Sequence, residues 1–207
     1  MGVFSDQERA DIAGAIREIE ERTAGELVVH VVERSADYAA PRGLASLAVG
    51  LGLAKVLVLE SPSTLSVWSL EVAGLGVALI YLATGIPWLL RRVVPPRNLH
   101  RAVHQRALRA FTEDRVHVTK DATGVLILIS EAERRVEILA DAGIHARVGT
   151  SGWEKYVADL IAAIRERRAG AGTVDLIRAL GRELQAAVPP VGDNPDELAN
   201  EVIVSKS

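Results

Sequence analysis

The chain has 207 residues, 24 of them Lys or Arg and 27 Asp or Glu, for a net charge of −3, and it contains no cysteine. The missing cysteines exclude disulfides, thiolate zinc sites and a cysteine nucleophile together, and a pI near 6.0 lacks the domain-wide basic excess of a dedicated nucleic-acid binder. A mean hydropathy of +0.19 is high for a chain that is 25% charged, so apolar and charged residues must occupy separate segments.

The first 23 residues, "MGVFSDQERADIAGAIREIEERT", hold no apolar run behind a basic start, so no cleavable secretory signal is expected. Ser5 with Glu8 forms a capping-box pattern, and Ile12, Ala13, Ile16 and Ile19 recur at helical spacing up to Thr23. "TAG" ends that helix. "ELVVHVVE", residues 26–33, is β-branched and apolar on both faces, as in a strand covered on two sides. His30, its one polar interior residue, reads as a satisfied core histidine.

An apolar insert follows. Residues 43–59 are apolar except for Ser46 and Lys55, and residues 65–90 except for Glu71 and scattered hydroxyls, with "ESPST" between as a turn. A hydrocarbon core of about 30 Å takes roughly 20 helical residues, which the second run supplies and the first reaches when counted from Pro41 to Glu60. Trp68 and Trp88 would stand about 30 Å apart on one straight helix, the spacing of two aromatic belts. Arg34 and Arg42 precede the insert and Arg91, Arg92 and Arg97 follow it, whereas the turn carries Glu60, so both flanks are expected on the cytoplasmic side. The expectation is a transmembrane helical hairpin over residues 43–90, two spans in a bacterial inner membrane, with the soluble domain cytoplasmic. Lys55 and Glu71 fall at similar depth, placed either to form an intramembrane ion pair or to snorkel separately.

Seven arginines and Lys120 between residues 91 and 120 make the lipid bilayer, with its anionic headgroups, the expected partner, at about 1 kcal/mol per charge near the surface. The small residues Gly50, Gly52 and Ala54, and Ala73, Gly74, Gly76 and Ala78, suit close helix approach within the hairpin, with another copy or with another membrane protein. No nucleic-acid partner is expected.

Beyond the insert, Asn98 is expected to cap a helix whose apolar face is Val103, Ala107, Leu108 and Phe111. "GVLILIS", residues 124–130, and "RVEILAD", residues 135–141, read as strands joined by the polar turn "EAER" into a hairpin. Trp153, Tyr156, Val157, Leu160, Ile161 and Ile164 mark one closing helix, and Val174, Ile177, Leu180 and Leu184 another. The tail from Pro189 is expected to be extended, with Val202 to Val204 against the body. The organisation is thus 1–42 and 91–188 as two parts of one α/β domain, 43–90 as the insert and 189–207 as the tail.

Asp121 and Asp141 are equidistant from the turn near Glu131 and Ala132, so antiparallel pairing brings both to one end of the sheet. Two such carboxylates can bind calcium or magnesium through oxygen or share a proton, with His145 adjacent as a base; the plainer reading makes them solvated strand ends. His100 and His104, four apart on one helix face, have the spacing of a zinc pair but no third ligand. Glu133 and Arg134 are expected as exposed turn charges. No phosphate-cradling glycine loop, nucleophile elbow or triad spacing is visible.

The order "ERTAGELVVHVVE", then "TGVLILISEAERRVEILADAGIHARVG", then two closing helices resembles the TPM-domain family over about 120 residues outside the insert. The resemblance implies an α/β/α sandwich around a small mixed β-sheet, often tethered to a membrane, and some relatives are acid phosphatases of the thylakoid lumen or calcium binders. The family's Asp-Asn-Gly before the second strand is "DATG" here, and "AGIHARVGT" lacks the acid expected after the small-residue loop. The function expected is therefore a non-catalytic interaction or assembly module held at the cytoplasmic membrane face, without a cofactor. The alternative is a metal-assisted phosphatase or metal-binding domain using calcium or magnesium at Asp121 and Asp141.

Overall fold

A computed structural model describes residues 4–60, 67–119, 121–148, 152–190, 198 and 200–205, without the side chains of residues 57–60 and 67–70. The expected turn "ESPST" lies almost wholly outside the described residues, and so does the side chain of Trp68. The chain divides into two units, residues 1–36 with 102–207, and residues 37–101.

The larger unit starts with helix α1 (Asp6–Glu20) and strand β1 (Glu26–Val32), and resumes in the course of helix α5 (Pro96–Glu113). Strands β2 (Gly124–Ser130) and β3 (Arg135–Ala140), helices α6 (Ala142–Val148), α7 (Trp153–Arg165) and α8 (Ala169–Ala187), and strand β4 (Ile203–Ser205) complete it. The sheet order is β3-β2-β1-β4; β1 runs parallel to β2 and β4, and β3 antiparallel to β2. This is the small mixed sheet of an α/β fold.

Both central strands are buried along their whole length because each face has its own helices. Leu27, Val29 and Val31 with Val125, Ile127 and Ile129 meet Ile12 and Ile16 of α1, Leu160 of α7, and Ile177 and Leu180 of α8. On the opposite face Val28, Val32, Leu126 and Leu128 meet Val103, Ala107 and Ala110 of α5. Each fully buried Leu, Ile or Val side chain contributes about 1.5–3 kcal/mol, so the alternation of faces along β1 and β2 sets the register. Trp153 Nε1 and the Tyr156 hydroxyl both donate to the Glu183 carboxylate at 2.7 Å, tying α7 to α8, and that bond holds the Tyr156 ionisation above its ordinary range.

The capping box forms as expected. The Ser5 hydroxyl accepts from the Glu8 amide at 3.3 Å, and the Glu8 carboxylate accepts from the Ser5 amide at 2.8 Å, which lowers the Glu8 ionisation below its ordinary 4.5. A lowered carboxylate contributes its stabilisation above the ordinary value and loses it as pH falls through the lowered one. Ser5→Ala should cost about 1 kcal/mol at neutral pH. Amide hydrogen exchange across α1 should therefore quicken in that variant, and the difference from the parent should shrink as pH falls below about 4.

Several sequence expectations are corrected. Helix α5 starts at Pro96 and not at an Asn98 cap, because the Asn98 amide already donates to the Pro95 carbonyl at 2.9 Å and a proline fits the first helical turn. Leu108 is 49% exposed, off the buried stripe. The stretch after Asp141 folds as α6, with Ile144 fully buried. The tail does return: β4 pairs with β1 at His30, Val31 and Val32.

The smaller unit holds helices α2 (Ala39–Glu60), α3 (Val67–Ala83) and α4 (Pro87–Val93). α2 packs on α3 through small residues: a Cβ on Gly50 would meet Val77 Cγ2 at 2.1 Å, and one on Gly76 would meet Leu53 Cδ1 at 2.8 Å. The expected single second span is broken. The Gly85 and Ile86 amides donate to Leu82 and Ala83 in tight terminal turns, Ile86 is extended at ψ 127, and Pro87 opens a new helix. Arg42 seals the end of α3, donating to the Tyr81 carbonyl at 2.8 Å and lying 4.5 Å over the Tyr81 ring, as a cation near a helix C-terminus should. Among the described residues no single helix is long and apolar enough to cross a membrane; residues Glu71–Ala83 with Pro87–Val93 reach that length and composition together but are bent by 110°.

Candidate functional site

Two polar clusters lie at the carboxyl ends of the parallel strands, the usual location of ligand sites in open α/β sheets. They flank Val32, which pairs with Ser130 on one side and Ser205 on the other.

In the first cluster, Glu133 is buried although it sits in the turn between β2 and β3. Its carboxylate accepts the Ser35 amide at 3.2 Å and the Ser130 hydroxyl, and the Ser35 and Ser130 hydroxyls are 2.7 Å apart. The turn is further tied to the chain after β1, where the Glu131 and Ala132 amides donate to the Val32 and Glu33 carbonyls at 3.0 Å. Glu133 thus corrects the expectation of an exposed charge: the turn folds over the end of β1 and needs an internal acceptor. Arg134 is exposed, as expected, and adopts a left-handed backbone at φ 50.

In the second cluster, His30 Nδ1 lies 2.5 Å from Asp114 Oδ2 and His30 Nε2 lies 2.8 Å from the Ser205 Oγ. Arg106 Nη2 is 3.0 Å from the same Oγ and 3.3 Å from Nε2, while Arg106 Nη1 donates to Glu113 at 3.1 Å. The His30 side chain is 3% exposed and that of Asp114 10%. In the neutral imidazole a carboxylate at Nδ1 takes the N–H there, which leaves Nε2 as the acceptor for the serine O–H. His30 is a core histidine with both nitrogens satisfied, as the sequence suggested. Its partners were not legible, because they stand 84 and 175 residues away with no local spacing to betray them.

The candidate metal ligands lie at the other end of the sheet. The Asp141 amide donates to the Gly124 carbonyl at 2.9 Å and the Gly143 amide to the Ala122 carbonyl at 3.0 Å, so the segments carrying Asp121 and Asp141 do come together. A Cβ on Gly143 would lie 2.3 Å from the Asp121 carbonyl, which requires a glycine. Asp121 is exposed, and Asp141 Oδ1 accepts the Ala142 amide at 2.6 Å. Among the described residues no group of three or more His, Asp or Glu is placed to hold a metal ion. His104 Nδ1 is 2.9 Å from Glu137 Oε1, and so contacts a carboxylate on β3.

Of the candidate membrane residues, Trp88 is 56% exposed on α4, Arg92 and Arg97 are exposed and Arg91 half-buried. Lys55 and Glu71 are both exposed on α2 and α3, and among the described residues no ion pair joins them. Around them stand exposed apolar side chains: Leu44, Leu51, Leu75 and Leu82 are all more than 60% exposed.

Residues 92–183 match the model of the family described as the TPM domain, a stretch containing α5, β2, β3, α6, α7 and most of α8. Over that stretch the chain is similar to the TPM domain. It also resembles the NMR structure of BA42 protein from the psychrophilic bacterium Bizionia argentinensis, with a TM-score of 0.61, 19% identity, and 98% of this chain and 95% of that chain covered. At that identity the likeness is one of fold. No curated protein matches.

Proposed function

We propose that this TPM domain is held at the cytoplasmic face of a bacterial inner membrane by residues 43–90, and acts there as an interaction or assembly module, with no turnover assigned to Asp121 and Asp141. The observation that carries the reading is the exposure of α2 and α3. Leu44, Leu47, Leu51, Leu53, Val56, Val72, Leu75, Leu79 and Leu82 present large apolar side chains to the outside of a helix pair that packs through glycine. Exposed apolar area of that extent costs about 25 cal/mol per Å² in water and nothing against acyl chains. Glycine-mediated packing is also how helices associate where lipid removes the hydrophobic drive between them.

The exposed arginines at positions 92, 97, 101 and 109 support the orientation, since such charges are retained on the cytoplasmic side and attract anionic headgroups. The bend at Gly85 to Pro87 is compatible with a bilayer if α3 spans with few residues to spare, or if α4 lies along the interface with Trp88 at headgroup level. Lys55 and Glu71 would then meet headgroups or each other. On expression in a bacterium the full chain should sediment with membranes, resist alkaline carbonate and be released by detergent. Replacing Leu51, Leu75 and Leu79 by Lys should move it to the soluble fraction. Release of the parent chain by carbonate alone contradicts the reading.

The second reading, a metal-assisted phosphatase or metal-binding domain, draws on Asp121 and Asp141 sharing one end of the sheet. It requires calcium or magnesium to bind at millimolar concentration and Asp141→Asn to abolish that binding.

A further inference from the structure

The Asp114–His30–Ser205 cluster is not used by the membrane reading and lies at the opposite end of the sheet from the two aspartates. We infer that it is a nucleophilic serine site for the hydrolysis of carboxylic esters, with Ser205 as nucleophile, His30 as base and Asp114 as the group that orients the imidazole. Three segments remote in sequence converge in the order such chemistry needs. Oγ is 2.8 Å from Nε2, and Nδ1 is 2.5 Å from a carboxylate, which fixes the tautomer with its lone pair toward the serine.

The exposures fit the roles. His30 and Asp114 are nearly covered, so the base is held in one orientation, while Ser205 is half-exposed at the end of an edge strand, within reach from solvent. Arg106 Nη2, 3.0 Å from Oγ and 3.3 Å from His30 Nε2, is a fixed cationic donor beside the nucleophile, where it favours negative charge on Oγ as the proton leaves. Glu113, on the other guanidinium nitrogen, keeps Arg106 in place. The arginine donates into one lone pair of Oγ and the serine proton goes to Nε2, which leaves one lone pair for attack.

The step balances with water as the co-reactant. Ser205 Oγ bonds to the acyl carbon as its proton passes to His30 Nε2, and the carbonyl electron pair moves onto the carbonyl oxygen. Collapse breaks the bond between acyl carbon and alkoxy oxygen, and the alcohol leaves with the proton from Nε2. Water, deprotonated by the same nitrogen, then cleaves the Ser205 ester, releasing the carboxylic acid and restoring the serine.

The test uses the full chain in mild detergent with a fluorophosphonate probe and with p-nitrophenyl butyrate. The expected result is one covalent adduct, mapped to Ser205, together with ester hydrolysis that falls about a hundredfold or more in Ser205→Ala and in Asp114→Asn. Because Ser205→Ala also removes a bond to β4, Ser205→Cys supplies an independent readout. Its thiol is the only one in the chain and should react with iodoacetamide at pH 6 about tenfold faster than free cysteine, an excess that Asp114→Asn in the same chain removes. A folded parent chain that takes no adduct at Ser205 overturns the inference. So does a folded Ser205→Cys variant whose thiol reacts at the rate of free cysteine.

Discussion

Gly124→Ala should destabilise the α/β unit by about 3 kcal/mol, a large part of a domain stability of about 5–15 kcal/mol. The added Cβ would lie 2.1 Å from the Val116 carbonyl oxygen and 2.7 Å from Val116 Cγ1. The nearest atom is backbone, so no rotamer change makes room. Gly124 cannot retreat either: it starts β2 opposite Glu26, and its carbonyl accepts the Asp141 amide at 2.9 Å. Gly14→Ala, on α1 with nothing within 4 Å, is the matched control and should stabilise by about 0.5–1 kcal/mol. Urea titration of each full-length variant in the same detergent, followed by far-UV circular dichroism, reads both. Equal midpoints for Gly124→Ala and the parent would mean that the segment around Val116 does not close on β2.

Glu133→Ala is the second large effect, also about 3 kcal/mol. It strands two buried donors, the Ser35 amide and the Ser130 hydroxyl, at about 1–3 kcal/mol for each group left without a partner. The Ser35–Ser130 bond survives and offsets part of the loss. Glu133→Gln keeps an acceptor and should cost about 1 kcal/mol, whereas an exposed turn glutamate would cost near zero in either variant. The same titration separates these outcomes.

The framework was legible because its physics is local. "ELVVHVVE" reads as a strand covered on two sides and "GVLILIS" as a second strand, and they are the two central strands. The stripe Ile12, Ile16 and Ile19 reads as a buried helix face, and all three are buried. Less local features were missed. The break between α3 and α4 falls at Gly85 and Pro87, two helix-breaking residues inside a stretch whose apolarity reads as one span. α6 was hidden by "AGIHARV", whose one strong core residue is Ile144. Glu133 looked exposed because burial of a turn depends on what folds over it, here the chain around Ser35.

The candidate site divides in the same way. The meeting of the Asp121 and Asp141 segments follows from hairpin symmetry, so counting residues finds it. The convergence of His30, Asp114 and Ser205 depends on β4 returning to β1 and on α5 crossing the sheet, and no spacing in the sequence encodes either. The one available signal was a histidine on an otherwise apolar strand.

The claim that α2 and α3 are covered by acyl chains is tested most directly at Leu79, which is 57% exposed on α3. The chain has no cysteine of its own, so Leu79→Cys accepts a single fluorophore for reconstitution into vesicles. Brominated acyl chains should quench that fluorophore strongly, and aqueous iodide should leave it nearly untouched. Full access to iodide with no quenching by brominated lipid would place the helix pair in water and contradict the membrane reading.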